Sequence, residues 1–136
     1  MKERPVVNSE GIMPNIERRK TMSVKVKKEI KDDVAILVLS GGLLGGPETA
    51  DKFQGELERV IKDGINKVII DLDKVNRMNS TGLGILMRGY MSMKNSEGDI
   101  KLVSLNESLK GILIMTQLNK IFETYQSLED AINDFK

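Results

Sequence analysis

The sequence predicts a single α/β domain with a mostly parallel, helix-covered sheet. Three observations carry that expectation. The chain has 136 residues, close to the usual size of one domain, and its apolar share of 40% is ordinary for a globular protein. Short apolar runs such as Val34–Leu39 and Val68–Ile70 alternate along the chain with stretches of helical period. That alternation of strand and helix is the signature of a parallel sheet covered by crossover helices.

The elements follow in order. Residues 1–21 hold two of the three prolines, show no sustained period and carry five basic against three acidic residues. They are expected to form a mobile tail, with Met22 as an alternative start, and the domain proper spans 22–136. The Arg18-Arg19-Lys20 run reads as a solvated flank. Val24, Val26, Lys28 and Ile30 alternate with polar residues as in a half-buried strand. Lys31-Asp32-Asp33 is a turn, and Val34–Leu39 a buried strand antiparallel to the first. A loop with four glycines covers Ser40–Gly46.

Pro47 suits the first turn of a helix, where its missing N–H costs nothing. Ala50, Phe53, Leu57, Val60 and Ile61 share one face of that helix, and Gly64 closes it. Lys67–Leu72 is the next strand, ending in Asp71-Leu72-Asp73. A helix is expected from Thr81 to Met93, with Leu83, Leu86, Met87, Tyr90 and Met91 toward the core. Its outward stripe would then be Thr81, Ile85, Arg88 and Ser92. Ile100–Leu105 is a strand, and Asn106 caps a helix through Leu109, Ile112, Leu113 and Thr116. Lys120–Tyr125 reads as an edge strand, and Ser127 caps an amphipathic helix bearing Leu128, Ala131, Ile132 and Phe135. The predicted order is β-β-α-β-α-β-α-β-α.

Composition removes much chemistry. Cysteine and histidine are both absent, which rules out disulfides, a His-based triad and the usual zinc ligands. The 21 basic and 20 acidic residues nearly cancel, to a net charge of +1, and tryptophan is absent. A nucleic-acid binder would show a basic excess or stacking aromatics, so direct nucleic-acid binding is not expected. No apolar run approaches the roughly 18–20 residues of a bilayer span. The N-terminus has no signal-peptide core, and the expected compartment is the cytoplasm.

Two glycine clusters fail as nucleotide motifs. Gly41–Gly46 lacks the Gly-Lys-Ser/Thr ending of a phosphate-binding loop, and Met87 stands where a dinucleotide fingerprint starting at Gly82-Leu83-Gly84 needs its third glycine. Asp71 and Asp73 lie at the C-terminal end of a strand, where α/β folds place functional groups. With Asn76 or Asn79 they could approach a magnesium site, but the favoured reading has Asp71 accepting loop N–H groups and Asp73 solvated. No catalytic residue, metal or cofactor is expected.

The strongest signal is Met78-Asn79-Ser80-Thr81-Gly82-Leu83-Gly84, between a strand and a helix. Ser80 is a good helix N-cap. The glycines behind it would keep the first turn bare, so that another protein could approach Ser80; a plain cap with glycines packed on the sheet is the alternative.

Asn79-Ser80-Thr81-Gly82-Leu83-Gly84, after a strand ending Val-Ile-Ile-Asp-Leu, resembles the phosphorylation loop of STAS domains, specifically bacterial anti-sigma factor antagonists. The likeness runs over Met22–Lys136 and includes Val38-Leu39-Ser40-Gly41. The family pattern is Asp-Ser-Ser/Thr-Gly, so Asn79 replaces an aspartate, and the Gly41–Gly46 loop is richer in glycine than usual. The resemblance implies a STAS-like fold and a switch, not an enzyme. Ser80 would be phosphorylated by an anti-sigma factor with serine kinase activity, and a serine phosphatase would reset it. The unphosphorylated form would bind the anti-sigma factor through Asn79, Ser80, Thr81, Gly82, Gly84, Ile85 and Arg88, freeing a sigma factor. The alternatives are a non-switching STAS docking subunit of a lipid-transport or stress-signalling complex, or a small nucleotide-binding protein using Asp71 and Asp73.

Overall fold

The computed structural model describes residues 24–44 and 46–136. The expected tail, 1–21, lies outside the described residues. Two strands open the fold, β1 (Lys25–Lys31) and β2 (Val34–Leu43), followed by α1 (Pro47–Lys62), β3 (Lys67–Met78) and α2 (Ser80–Asn95). Then come β4 (Asp99–Val103), α3 (Glu107–Met115), a 3-10 turn (Leu118–Lys120), β5 (Glu123–Tyr125) and α4 (Leu128–Asp134). The predicted order is met element for element.

The sheet runs β1-β2-β3-β4-β5, with β1 antiparallel to β2 and every other pair parallel. The β1–β2 turn is tight because Asp32 and Asp33 both take left-handed backbone, at φ 52° and 66°. Aspartate tolerates that region better than most side chains. β5 pairs with β4 alone and so forms one edge of the sheet, with β1 at the other.

One face of the sheet carries the main core. Ala35, Leu37, Leu39, Val68, Ile70 and Leu72 point into it, against Phe53 and Leu57 of α1, Leu83 and Leu86 of α2, and Leu109 and Leu113 of α3. Burying each such side chain contributes on the order of 1.5–3 kcal/mol. The other face is covered more sparingly: Val34, Ile36, Ile69 and Val103 pack only against Ala131 and Ile132 of α4 and their neighbours. Helix caps at Asn106 and Ser127 hold as predicted, their side-chain oxygens accepting from Leu109 N at 2.8 Å and Asp130 N at 3.1 Å.

The expected edge strand Lys120–Tyr125 shortens to Glu123–Tyr125, because Lys120 closes the 3-10 turn ahead of it. Two further boundaries differ from the sequence reading, and for one reason. The expected loop from Ser40 is strand as far as Leu43, and β3 continues past Leu72 to Met78. These extensions pair with each other, Ser40 opposite Lys74 and Leu43 opposite Met78, with one register shift between them and another just before Ser40. The glycines and polar residues of both segments look like loop taken singly. Their pairing satisfies the backbone groups that neither could satisfy alone. No helix among the described residues is long and apolar enough to cross a membrane.

Candidate functional site

The paired extension projects beyond the rest of the sheet. β4 pairs with β3 only from Lys67 to Asp71, whereas β2 follows β3 to Met78. At its tip the chain turns into α2, and the geometry of that turn places the candidate residues. Asn79 is extended, at φ −118° and ψ −175°, and its side-chain oxygen accepts from Gly82 N at 2.9 Å. Its backbone carbonyl receives Leu83 N at 2.9 Å, and its own N–H donates to the Leu43 carbonyl at 3.4 Å. Asn79 is therefore the N-cap, in place of the expected Ser80. Ser80 and Thr81 are the first two helical residues, both exposed. The carboxamide reaches the same orphan amide a serine would have capped, so the Ser80 hydroxyl takes no part in the cap.

Gly82 is buried, not bare. A β-carbon there would lie 1.8 Å from the Leu43 carbonyl oxygen, so the helix start is pressed onto the end of β2. Gly89 is used in the same way further along, since a β-carbon on it would meet Phe53 Cε2 at 2.7 Å. These two contacts decide which way α2 is rotated. Ile85 lies between them on the same face and is buried, at 8% exposure, which overturns the expectation that it points outward. Ser92 is half-buried, its hydroxyl accepting from Gln54 Nε2 at 2.9 Å. Met91, expected in the core, is 52% exposed.

The outward stripe of α2 consequently runs Ser80, Thr81, Gly84, Arg88 and Met91. Of the residues assigned to partner contact, Asn79, Ser80, Thr81, Gly84 and Arg88 share this surface, while Gly82 and Ile85 serve the interior. Gly84 stands in open space, with nothing within 4 Å of where a β-carbon would be. The first turn of α2 holds no acid, so the positive end of the helix dipole has no carboxylate to offset it. Met91 joins this candidate surface although the sequence reading placed it in the core; only the rotation of α2 reveals it.

Asp71 and Asp73 do not converge on a site. Asp71 Oδ1 accepts from Asp73 N at 3.0 Å within β3, beside a register shift of the β2–β3 pairing, and Asp73 is exposed. Among the described residues no three acids, histidines or cysteines are grouped to hold a metal ion. Asp73 does border a shallow cleft of about 500 Å³ beside β3 and at the C-terminal ends of β4 and β5, with Ser104, Asn106 and Lys110. The cation of that cleft, Lys110, lies 3.4 Å from Glu107, and Asn106 already occupies the amide of Leu109. Such a cleft offers a nucleotide phosphate little.

A five-stranded sheet with three helices on one face, presenting the N-terminus of the second on a two-stranded arm, defines a small binding module. The chain belongs to the STAS domain family, whose model matches residues 25–131. It is 31% identical over 113 residues to the anti-sigma-B factor antagonist of Listeria monocytogenes, covering 82% of this chain and 95% of that one. It also resembles the crystal structure of a Thermotoga maritima protein provisionally classed as an anti-sigma factor antagonist. That likeness has a TM-score of 0.72 at 29% identity, over 80% of this chain and 92% of the other. An anti-sigma factor antagonist from Mycobacterium paratuberculosis superimposes with a TM-score of 0.70 at 27% identity, covering 82% and 93%.

Proposed function

We propose that this protein antagonises an anti-sigma factor, docking it on the outward stripe of α2, and that phosphorylation of Ser80 releases it. The observation that carries the reading is the division of labour between neighbours. Asn79 caps the helix, and Ser80 is exposed beside it with its hydroxyl outside the cap. A kinase needs such a hydroxyl on an ordered but accessible backbone. The names of the relatives support the coarser half of the reading, the antagonist role.

Phosphate would add about −1.5 to −2 charge at this point. At the first turn of a helix without an acid of its own, that charge interacts favourably with the dipole, so the domain stays folded. The cost falls on the complex, where the new charge must be desolvated against a partner shaped for a neutral serine. The partner would be an anti-sigma factor with serine kinase activity, and a serine phosphatase would restore binding.

The test is to incubate the full chain with ATP and the anti-sigma kinase of its host, map the phosphosite, and measure binding before and after. Phosphate on Ser80 with loss of affinity is the expected result. Phosphate on Thr81 alone, or affinity unaltered by phospho-Ser80, would leave only a docking domain.

A further inference from the structure

On the face of the sheet away from α2, β4 carries a lysine that is almost completely covered. Lys101 is 3% exposed and is the one buried charged side chain among the described residues. Its Nζ donates to Glu123 Oε1 at 2.6 Å, Asp134 Oδ2 at 2.9 Å and the Tyr125 hydroxyl at 3.2 Å. The ammonium also lies 4.7 Å from the centre of the Phe135 ring, a cation–π distance. The Tyr125 hydroxyl in turn donates to Asp134.

Asp134 stands at the wrong end of its helix. α4 has Glu129 and Asp130 in its first turn, where acids are favoured, but Asp134 in its last turn and no base there. A carboxylate at a helix C-terminus is opposed by the dipole. Lys101 supplies the cation from outside the helix. The apolar hold on α4 is slight, since its 7 residues bury only Ala131 and Ile132. A helix that short does not form alone in water.

We infer that α4 is a charge-latched cover: Lys101 and Asp134 hold it over the apolar strip of Val34, Ile36, Ile69 and Val103, and it is the first helix of the fold to open when that pair is broken. The remaining acids strengthen the case. Without the ammonium, Asp134 and Glu123 would face each other as like charges. The pair is also open to salt, because the carboxylate side chains of Glu123 and Asp134 are 55% and 50% exposed. Opening leaves the main core untouched, because α1, α2 and α3 pack on the opposite face.

Native-state hydrogen exchange on the full chain tests this. In Lys101→Met, which keeps the apolar stem, and in Asp134→Asn, amides of α4 should exchange at least about tenfold faster, with α2 unchanged. About 1 M NaCl should speed α4 exchange in the wild type and not in Lys101→Met. Protection of α4 in Lys101→Met equal to wild type, or a rise shared equally by α2 and α4, overturns the inference. Should Lys101→Met fail to fold, Asp134→Asn and the salt response of the wild type decide: unchanged α4 exchange in both defeats the latch.

Discussion

Gly82 rests on the carbonyl oxygen of Leu43, so closely that a β-carbon would stand 1.8 Å from it. That contact joins the start of α2 to the end of β2 and fixes how the candidate surface is presented. Gly82→Ala should therefore be costly despite alanine's higher helix propensity, by about 1–3 kcal/mol for the forced backbone shift. Gly84→Ala, two residues on and in open space, should gain up to about 1 kcal/mol. Urea denaturation of the two variants checks the contrast. Equal effects would mean that the close approach at Gly82 is absent in solution.

The cap assignment gives a second contrast. Asn79→Ala removes the acceptor of Gly82 N and should cost about 1 kcal/mol. Ser80→Ala removes an exposed hydroxyl that caps nothing and should change stability by no more than about 0.5 kcal/mol. Thermal unfolding of both variants separates them, and the reverse order would return the cap to Ser80.

Ile85 and Arg88 separate interior from surface on one helix. Ile85→Ala should lose about 2 kcal/mol or more, since its side chain is in the core. Arg88→Ala, on the exposed stripe, should leave stability nearly unchanged and weaken binding to the anti-sigma partner. Denaturation paired with isothermal titration of the partner reads both. Binding lost in Ile85→Ala without loss of stability would show that the helix turns its other face outward.

Ser80→Asp mimics part of the phosphate charge. It should unfold no earlier than wild type, and up to about 1 kcal/mol later, because the acid joins a helix N-terminus that has none. It should nonetheless bind the partner more weakly than Ser80→Ala does. Equal affinities of the two variants would argue against a charge-driven release.

Acid should loosen α4. The hydrogen bond from Tyr125, and then that from Lys101, hold the Asp134 carboxyl below its ordinary value of 3.8. Burial works to lower the Lys101 value, but its hydrogen bonds to Glu123, Asp134 and Tyr125 prevail and keep it above the ordinary 10.5. A depressed carboxyl stabilises fully above its unfolded value and ceases to as pH falls through the folded one. The lysine contribution is complete below 10.5. The stability gap between wild type and Asp134→Asn should thus be level through neutral pH and shrink in acid below about 3.8; Asp99 and Glu123 also face the Lys101 ammonium. Urea denaturation against pH measures it. A gap that widens in acid would contradict the depressed carboxyl.

The sequence by itself determined the element order, the antiparallel start, the two caps at Asn106 and Ser127, and the segment from Asn79 to Arg88 as the place to look. Those features rest on local rules: period of hydrophobicity, turn chemistry and capping preference act within a few residues. Tertiary structure decided the rest. Whether Ser40–Leu43 and Asp73–Met78 were loop or strand depended on their finding each other across the sheet, which neither segment records. The rotation of α2 was hidden because its closest contacts are made by Gly82 and Gly89, and a residue without a side chain adds nothing to a hydrophobic stripe. Close packing rewards the absence of a side chain where two backbones meet. That is why Ile85 lies inside, Met91 outside, and Ser80 at the exposed start of the helix beside the residue that caps it.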